Sequence, residues 1–266
     1  MNSLANKRVL LTGATGGIGS QLAQLLLEKN CMLGLVGRCE QKLDKLSAKL
    51  IADKKQFIAI KADICNKDDR LLMLAQMQKQ FAGIDILINL AGSMDFINFQ
   101  NQSDEKLEQT FQTNIIAPML LCKQLLPEML SNNSGHIVNI GSIFGSIGFA
   151  YFTGYSASKF ALRGFSEALR RELAQTPIKV SYIAPRAVKT SLNSEQVYAM
   201  AEAVKMNMDK PEDVARKIVI AIEKQHKEVY LGFPESLFVR INALFPRLVD
   251  FATKAQNKIA QKYAVN

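Results

Sequence analysis

The sequence predicts a single doubly wound α/β domain, a parallel sheet of about seven strands with helices on both faces. Three observations lead there. Short apolar runs alternate with longer stretches of helical periodicity along most of the chain. A glycine-rich turn joins the first run to the first helix, and other polar motifs fall at the ends of later runs. The 266 residues, 48% hydrophobic, suit one sizeable core better than two small ones.

The elements follow in order. Residues 7–12 read as a short apolar strand, and residues 17–29 carry Ile18, Leu22, Leu25 and Leu26 at helical spacing. A second strand spans 31–36, and a helix over 40–52 sets Leu43, Leu46 and Leu50 on one face. Residues 56–61 and 67–81 give the third strand and helix. Residues 84–89 form the fourth strand, followed by one long helix over 104–130. A strand over 135–141 precedes a helix over 151–174, and a strand over 178–184 precedes a helix over 211–225 with Pro211 at its first position. Residues 228–231 close the sheet. Strands alternating with helices take right-handed crossovers, and such sheets bind ligands at the carboxyl ends of their strands.

The charge balance narrows the partners. The net charge of +9 is spread along the chain with no arginine-rich arm and no DNA-binding motif. That speaks for an anionic cofactor or membrane surface and against nucleic acid. Cys31, Cys39, Cys65 and Cys122 have no CxxC spacing, and with His136 and His226 as the only histidines no metal site is expected. No signal peptide and no run of ~18 apolar residues is evident, so the expected location is cytoplasmic.

Residues 12–19 read TGATGGIG. Gly13, Gly17 and Gly19, among Thr12, Thr15 and Ile18, let the backbone turn tightly against a pyrophosphate, and the helix that follows offers its first amides. No Lys-Ser/Thr follows, which excludes a P-loop. The second strand ends Leu35-Val36-Gly37-Arg38, with no acid to accept ribose hydroxyls and a guanidinium available for a 2′-phosphate. This favours NADP(H) over NAD(H), a solvated surface arginine being the alternative. Asp63 follows the third strand, where an adenine ring is held. Asn89, Ala91 and Gly92 follow the fourth, beneath the adenosine half.

The segment YSASK places Tyr155 and Lys159 four apart on one helical face. A tyrosine of ordinary pKa, ~10, is a poor proton shuttle at neutral pH, and a nearby ammonium lowers that pKa. Ser142 closes the fifth strand, where its hydroxyl suits a substrate oxygen gaining charge.

TGATGGIG, Asn114, Ser142 and YSASK together resemble the motif set of the short-chain dehydrogenase/reductase family, in matching order and spacing over roughly residues 5–235. The resemblance implies a Rossmann-type domain and an oxidoreductase that interconverts carbonyl and alcohol with NADP(H). In that scheme Tyr155 exchanges a proton with the substrate oxygen and Lys159 binds the nicotinamide ribose. Ser142 orients the substrate, and Asn114 positions a water that relays protons to Lys159. The family also implies a homodimer or homotetramer built through the long fourth and fifth helices. Two positions depart from its pattern: Leu90 replaces an asparagine, and Pro185 is followed by Arg186 instead of glycine. Arginine tolerates positive φ poorly, and Arg186 could offer an anionic substrate a charge partner. Thr190 matches the family threonine that holds the carboxamide. A nucleotide-sensing or scaffold protein without catalysis is the competing reading, and the retained Tyr155–Lys159 pair speaks against it.

The segments that rim the site are apolar: Met94, Phe96, Ile97 and Phe99; Ile143, Phe144, Ile147, Phe149 and Phe152; and, on a mobile loop, Leu192, Val197, Met200, Met206 and Met208. They suit a lipophilic substrate such as a long-chain aldehyde, a 3-oxoacyl thioester or a steroid-like ketone, or else pack the core or a subunit interface. Residues 1–233 form the catalytic domain, and residues 234–266 a basic amphipathic extension that is not a domain of its own. Leu237, Phe238, Ile241, Leu244, Phe245, Leu248, Val249 and Phe251 are interrupted at Pro246 and accompanied by Arg240, Arg247, Lys254, Lys258 and Lys262. Such a segment lies in an anionic membrane interface, covers a partner subunit or caps the pocket.

Overall fold

The computed structural model describes residues 3–51 and 53–264, so Ala52, the expected end of the second helix, lies outside the described residues. Within them, β1 (Arg8–Thr12), β2 (Met32–Gly37), β3 (Phe57–Lys61), β4 (Ile86–Asn89), β5 (His136–Ile140), β6 (Lys179–Pro185) and β7 (Glu228–Leu231) build one parallel sheet in the order β3-β2-β1-β4-β5-β6-β7. This is the doubly wound, Rossmann-type arrangement expected from the alternation of elements.

Successive residues of a strand face opposite sides of the sheet, and both sides here are covered. Val9 and Leu11 of β1 pack with Leu22 and Leu26 of α1 (Gly17–Glu28), Leu43 of α2 (Glu40–Lys49) and Ile218 of α8 (Pro211–Glu223). Leu10 faces the other way, in one cluster with Met73 and Met77 of α3 (Lys67–Phe81), Leu121 of α5 (Ala117–Ser131) and Leu169 of α6 (Thr153–Glu172). Both faces of β1 are sealed, so its apolar run is continuous where a half-exposed strand would alternate.

Two segments differ from expectation. The long helix over 104–130 is α4 (Asp104–Phe111), then a π-helical turn at Gln112–Ile116, then α5. Pro118 has no N–H to close a normal helical bond to the carbonyl of Asn114, which favours a widened turn there. The segment read as a mobile loop contains α7 (Glu195–Ala203), capped by Ser194, whose Oγ accepts from the Val197 amide at 3.3 Å.

After β7, α9 (Glu235–Leu244) and α10 (Pro246–Ala260) meet at the expected break before Pro246. They fold over the carboxyl ends of the strands. Ala260 and Ala264 join a third apolar cluster with Phe152, Tyr155, Val197 and Met200. Among the described residues no helix is long and apolar enough to cross a membrane.

Candidate active site

Strand order reverses direction between β1 and β4, and there the crossovers depart to opposite sides and leave a crevice. Glycine shapes its floor. Gly13 takes φ 70°, and a Cβ on it would lie 2.8 Å from the Cα of Ala91. A Cβ on Gly19 would stand 2.2 Å from the carbonyl oxygen of Gly13. Any larger residue at either place forces the turn apart. A Gly19→Ala substitution therefore abolishes detectable cofactor binding while the far side of the sheet stays folded; calorimetric titration beside circular dichroism checks this.

The groove above the turn encloses about 280 Å³ and is lined by Gly13, Thr15, Gly17, Ile18, Gly19, Arg38, Asp63, Ala91, Gly92 and Thr190. Arg38, at the exposed end of β2, forms no ion pair with any described residue. Lys42, on the first turn of α2, lines the same groove and escaped the sequence reading, although its place one helical turn after Arg38 was visible. Thr12 and Asn89 do not line it. The buried Thr12 hydroxyl donates to Ile88 O (3.3 Å) and accepts from the amides of Leu90 (3.1 Å) and Ala91 (3.2 Å). Asn89 donates to Asn139 Oδ1 at 2.8 Å. Both side chains are held within the protein and brace the walls of the groove.

Beyond the groove, Tyr155 and Lys159 stand on the first turns of α6. Ser142 ends the loop after β5 and caps a short turn at Ile143–Gly145, its Oγ accepting from the Phe144 amide at 3.1 Å. The Ser142 and Tyr155 side chains both line one cavity, and Ser142 draws the Tyr155 pKa down. The Lys159 ammonium lies 5.8 Å from the centre of the Tyr155 ring and donates to Ile140 O at 3.0 Å. Asn114 sits in the π turn with its side chain fully engaged. Its Oδ1 accepts from Ser93 N (2.8 Å), and its Nδ2 donates to Ser93 O (2.8 Å) and Ser158 Oγ (2.9 Å). Ser158 donates in turn to Tyr155 O at 2.7 Å.

Burial controls both titrating groups. It pushes Tyr155 up to about 12, against the pull of Ser142, and pushes Lys159 down to about 8. The direction at Tyr155 is opposite to the one expected from a neighbouring ammonium, because desolvation dominates there. One supporting residue was missed. Tyr182 of β6 is buried, donates to Ser142 O at 3.2 Å, and fills the space where a Cβ on Gly141 would approach to 2.2 Å.

A second cavity, about 410 Å³, opens over Tyr155 and shares Ile18, Leu90, Gly92, Thr190 and Leu192 with the groove. Met94, Phe144, Phe149, Phe152, Met200 and Met206 give it an apolar wall. Phe96 instead stacks behind Phe152, with ring centres 4.7 Å apart, and Ile97 and Phe99 lie outside the lining. Phe238, Val249, Ala252 and Gln256 of the C-terminal helices close the cavity. Of the three fates considered for that segment, capping the pocket is observed.

Arg186 lines the cavity, but its charge is already engaged within the protein. Its guanidinium meets Asp209 Oδ1 (2.7 Å), Glu235 Oε2 (2.9 Å) and Phe233 O (3.0 Å), and its backbone does not take a positive φ. It thus ties the loop after β6 to the start of α9. An Arg186→Ala change is expected to cost on the order of 2 kcal/mol, since half-buried charged partners lose their hydrogen bonds. Thermal unfolding shows the loss as a lower Tm, while affinity for a nicotinamide nucleotide stays unchanged.

Comparison with known proteins adds a separate line. Residues 7–227 match the short chain dehydrogenase family. A ketoacyl reductase of Nostoc sp. is 35% identical over 257 residues, covering 94% of this chain and 89% of that protein. An uncharacterised oxidoreductase of Staphylococcus aureus is 33% identical over 224 residues, covering 84% and 93%. Among solved structures, a short-chain dehydrogenase/reductase of Burkholderia phymatum in complex with NAD superimposes with a TM-score of 0.84 at 22% identity, covering 93% of this chain and 96% of that one.

Proposed function

The chain belongs to the short-chain dehydrogenase family, and on that premise we propose that it is an NADP(H)-dependent reductase of lipophilic carbonyls, with 3-oxoacyl thioesters the favoured class. The observation that carries this reading is one continuous site: a groove with unpaired Arg38 and Lys42 at one end, opening beside Tyr155 into an apolar cavity. The relative at 35% identity, a ketoacyl reductase, points to the same substrate class.

The groove residues fit a dinucleotide. The glycines at 13, 17 and 19 leave room for a pyrophosphate at the start of α1; Asp63 and Ala91 would hold the adenosine half, and Pro185 and Thr190 the nicotinamide. Arg38, with Lys42 lining the same groove, would hold the 2′-phosphate. When bound, the cofactor supplies the hydride. The chain's own residues do the rest. Ser142 hydrogen-bonds the carbonyl oxygen, and Tyr155, protonated throughout the neutral range, donates its proton there as charge develops. Lys159 holds the ribose and keeps a positive charge beside the tyrosine. Asn114 braces Ser93 and Ser158 through its side chain, and its place in the π turn would let its backbone position the water that returns a proton to Lys159. Exposed Ile116, Met119 and Phe160 on the long helices fit assembly into homodimers or homotetramers.

The ammonium of Lys159 sets a pH limit. Its pKa is lowered to about 8, so the charge is present below that pH and lost above it. Carbonyl reduction should therefore fall as pH rises through about 8, read as a descending limb in kcat/KM; a flat profile to pH ~10 contradicts the role of Lys159. The substrate class is tested by absorbance at 340 nm with NADPH and a panel of carbonyls. Turnover of long-chain 3-oxoacyl thioesters well above that of short sugars and polyol-derived ketones is expected. The opposite preference overturns the class.

A further inference from the structure

We propose that the tip of the α9–α10 pair docks on an anionic lipid surface, so that the cap of the substrate cavity faces the membrane. The inference rests on the lipophilic-substrate reading for its purpose, but its physical basis is separate.

The two helices have two different faces. On α10, buried Val249 and Ala260 with the pocket-lining Gln256 turn inward. Arg247, Phe251, Lys254 and Lys258 recur at spacings of four, three and four on the opposite side, and all are exposed. At the corner, Leu244 is 73% exposed, Phe245 63%, Leu248 58% and Phe251 79%. None of these four large apolar side chains belongs to a core cluster. A contiguous exposed apolar patch of this kind marks a contact surface.

Charge selects the occupant. Arg240, Arg247, Lys254 and Lys258, all exposed, lie within about two helical turns of these residues along α9 and α10. Of the nearby acids, Glu235 is engaged by Arg186 and Asn207, which leaves Asp250 as the exposed acid on the pair. In a twofold pairing of two copies this face would meet itself, setting like charges against each other. Anionic headgroups satisfy these basic side chains while Phe245, Leu248 and Phe251 enter the acyl boundary, as amphipathic interfacial helices do. Phe238, Ala252 and Gln256 of the same pair form the cavity wall, so the docked tip brings that wall to the phase in which a lipid-like carbonyl dissolves.

The test is co-sedimentation of the full chain with vesicles of phosphatidylglycerol and phosphatidylcholine in equal parts, and with phosphatidylcholine alone. Binding to the anionic vesicles at least about tenfold stronger than to the neutral ones is expected, weakening with salt. The double variant Phe245→Ser/Phe251→Ser should lose at least about tenfold of that binding, and Lys254→Gln/Lys258→Gln should bring anionic and neutral vesicles close to parity. All four positions are exposed, so retained NADPH affinity in each variant shows an intact fold. Absence of binding to anionic vesicles, or undiminished binding by the serine variant, overturns the proposal. So does conversion of a dimer to a monomer by the serine substitutions without any vesicle binding. Failure to bind vesicles with NADPH binding intact sinks this inference alone, whereas vesicle binding without nucleotide binding sinks the reductase and leaves the docking surface.

Discussion

Replacing Tyr155 with phenylalanine lowers carbonyl reduction by about 10³-fold and leaves cofactor affinity and Tm close to those of the wild type. The expectation follows from what the change removes. The ring stays buried among apolar neighbours, in edge contact with Phe144 at 6.3 Å between centres. Its loss is one hydroxyl, at the cavity that Ser142 also lines. Tyr182, whose hydroxyl meets the Ser142 backbone, does not line the cavity, so it does not replace that hydroxyl. Reduction rates followed at 340 nm decide the matter, and residual turnover within tenfold of wild type would remove Tyr155 from the chemistry.

Changing Arg38 to aspartate weakens NADPH binding by about 10²-fold or more and leaves NADH binding nearly untouched or improved. Arg38 is exposed at the carboxyl end of β2 and free of ion pairs with any described residue, so its charge is available to a phosphate. The substitution deletes a charge-assisted contact and adds a carboxylate that repels the same phosphate, while a carboxylate there suits free ribose hydroxyls. Lys42 remains in the groove and limits the loss. Equal weakening of both nucleotides would show that Arg38 does not read the 2′ position.

Much of this was legible in the sequence for a physical reason. A parallel sheet covered on both sides needs continuous apolar runs, and its ligand site needs glycine where backbones nearly touch, as Gly13 and Ala91 do. Those constraints leave marks that spacing reveals. Other features leave none. The π turn that aims Asn114 inward comes from one proline inside an otherwise regular helical pattern, Pro118. The helix α7 is short, though Ser194 before it was a readable cap. The engagement of Arg186 by Asp209 and Glu235 joins positions far apart in the chain, so no local pattern foretold that its charge was taken. For Thr12 and Asn89 the motif marks the strand ends, while the hydrogen bonds that tie Thr12 to the Leu90 amide and Asn89 to Asn139 join residues 78 and 50 positions apart and leave no local pattern.

The most direct measurement of the central claim is a fluorescence titration of the purified chain with NADPH and with NADH, because it needs no knowledge of the substrate. The account predicts saturable NADPH binding, at least about tenfold tighter than NADH and lost in Gly19→Ala. Binding of neither nucleotide by folded protein would contradict it.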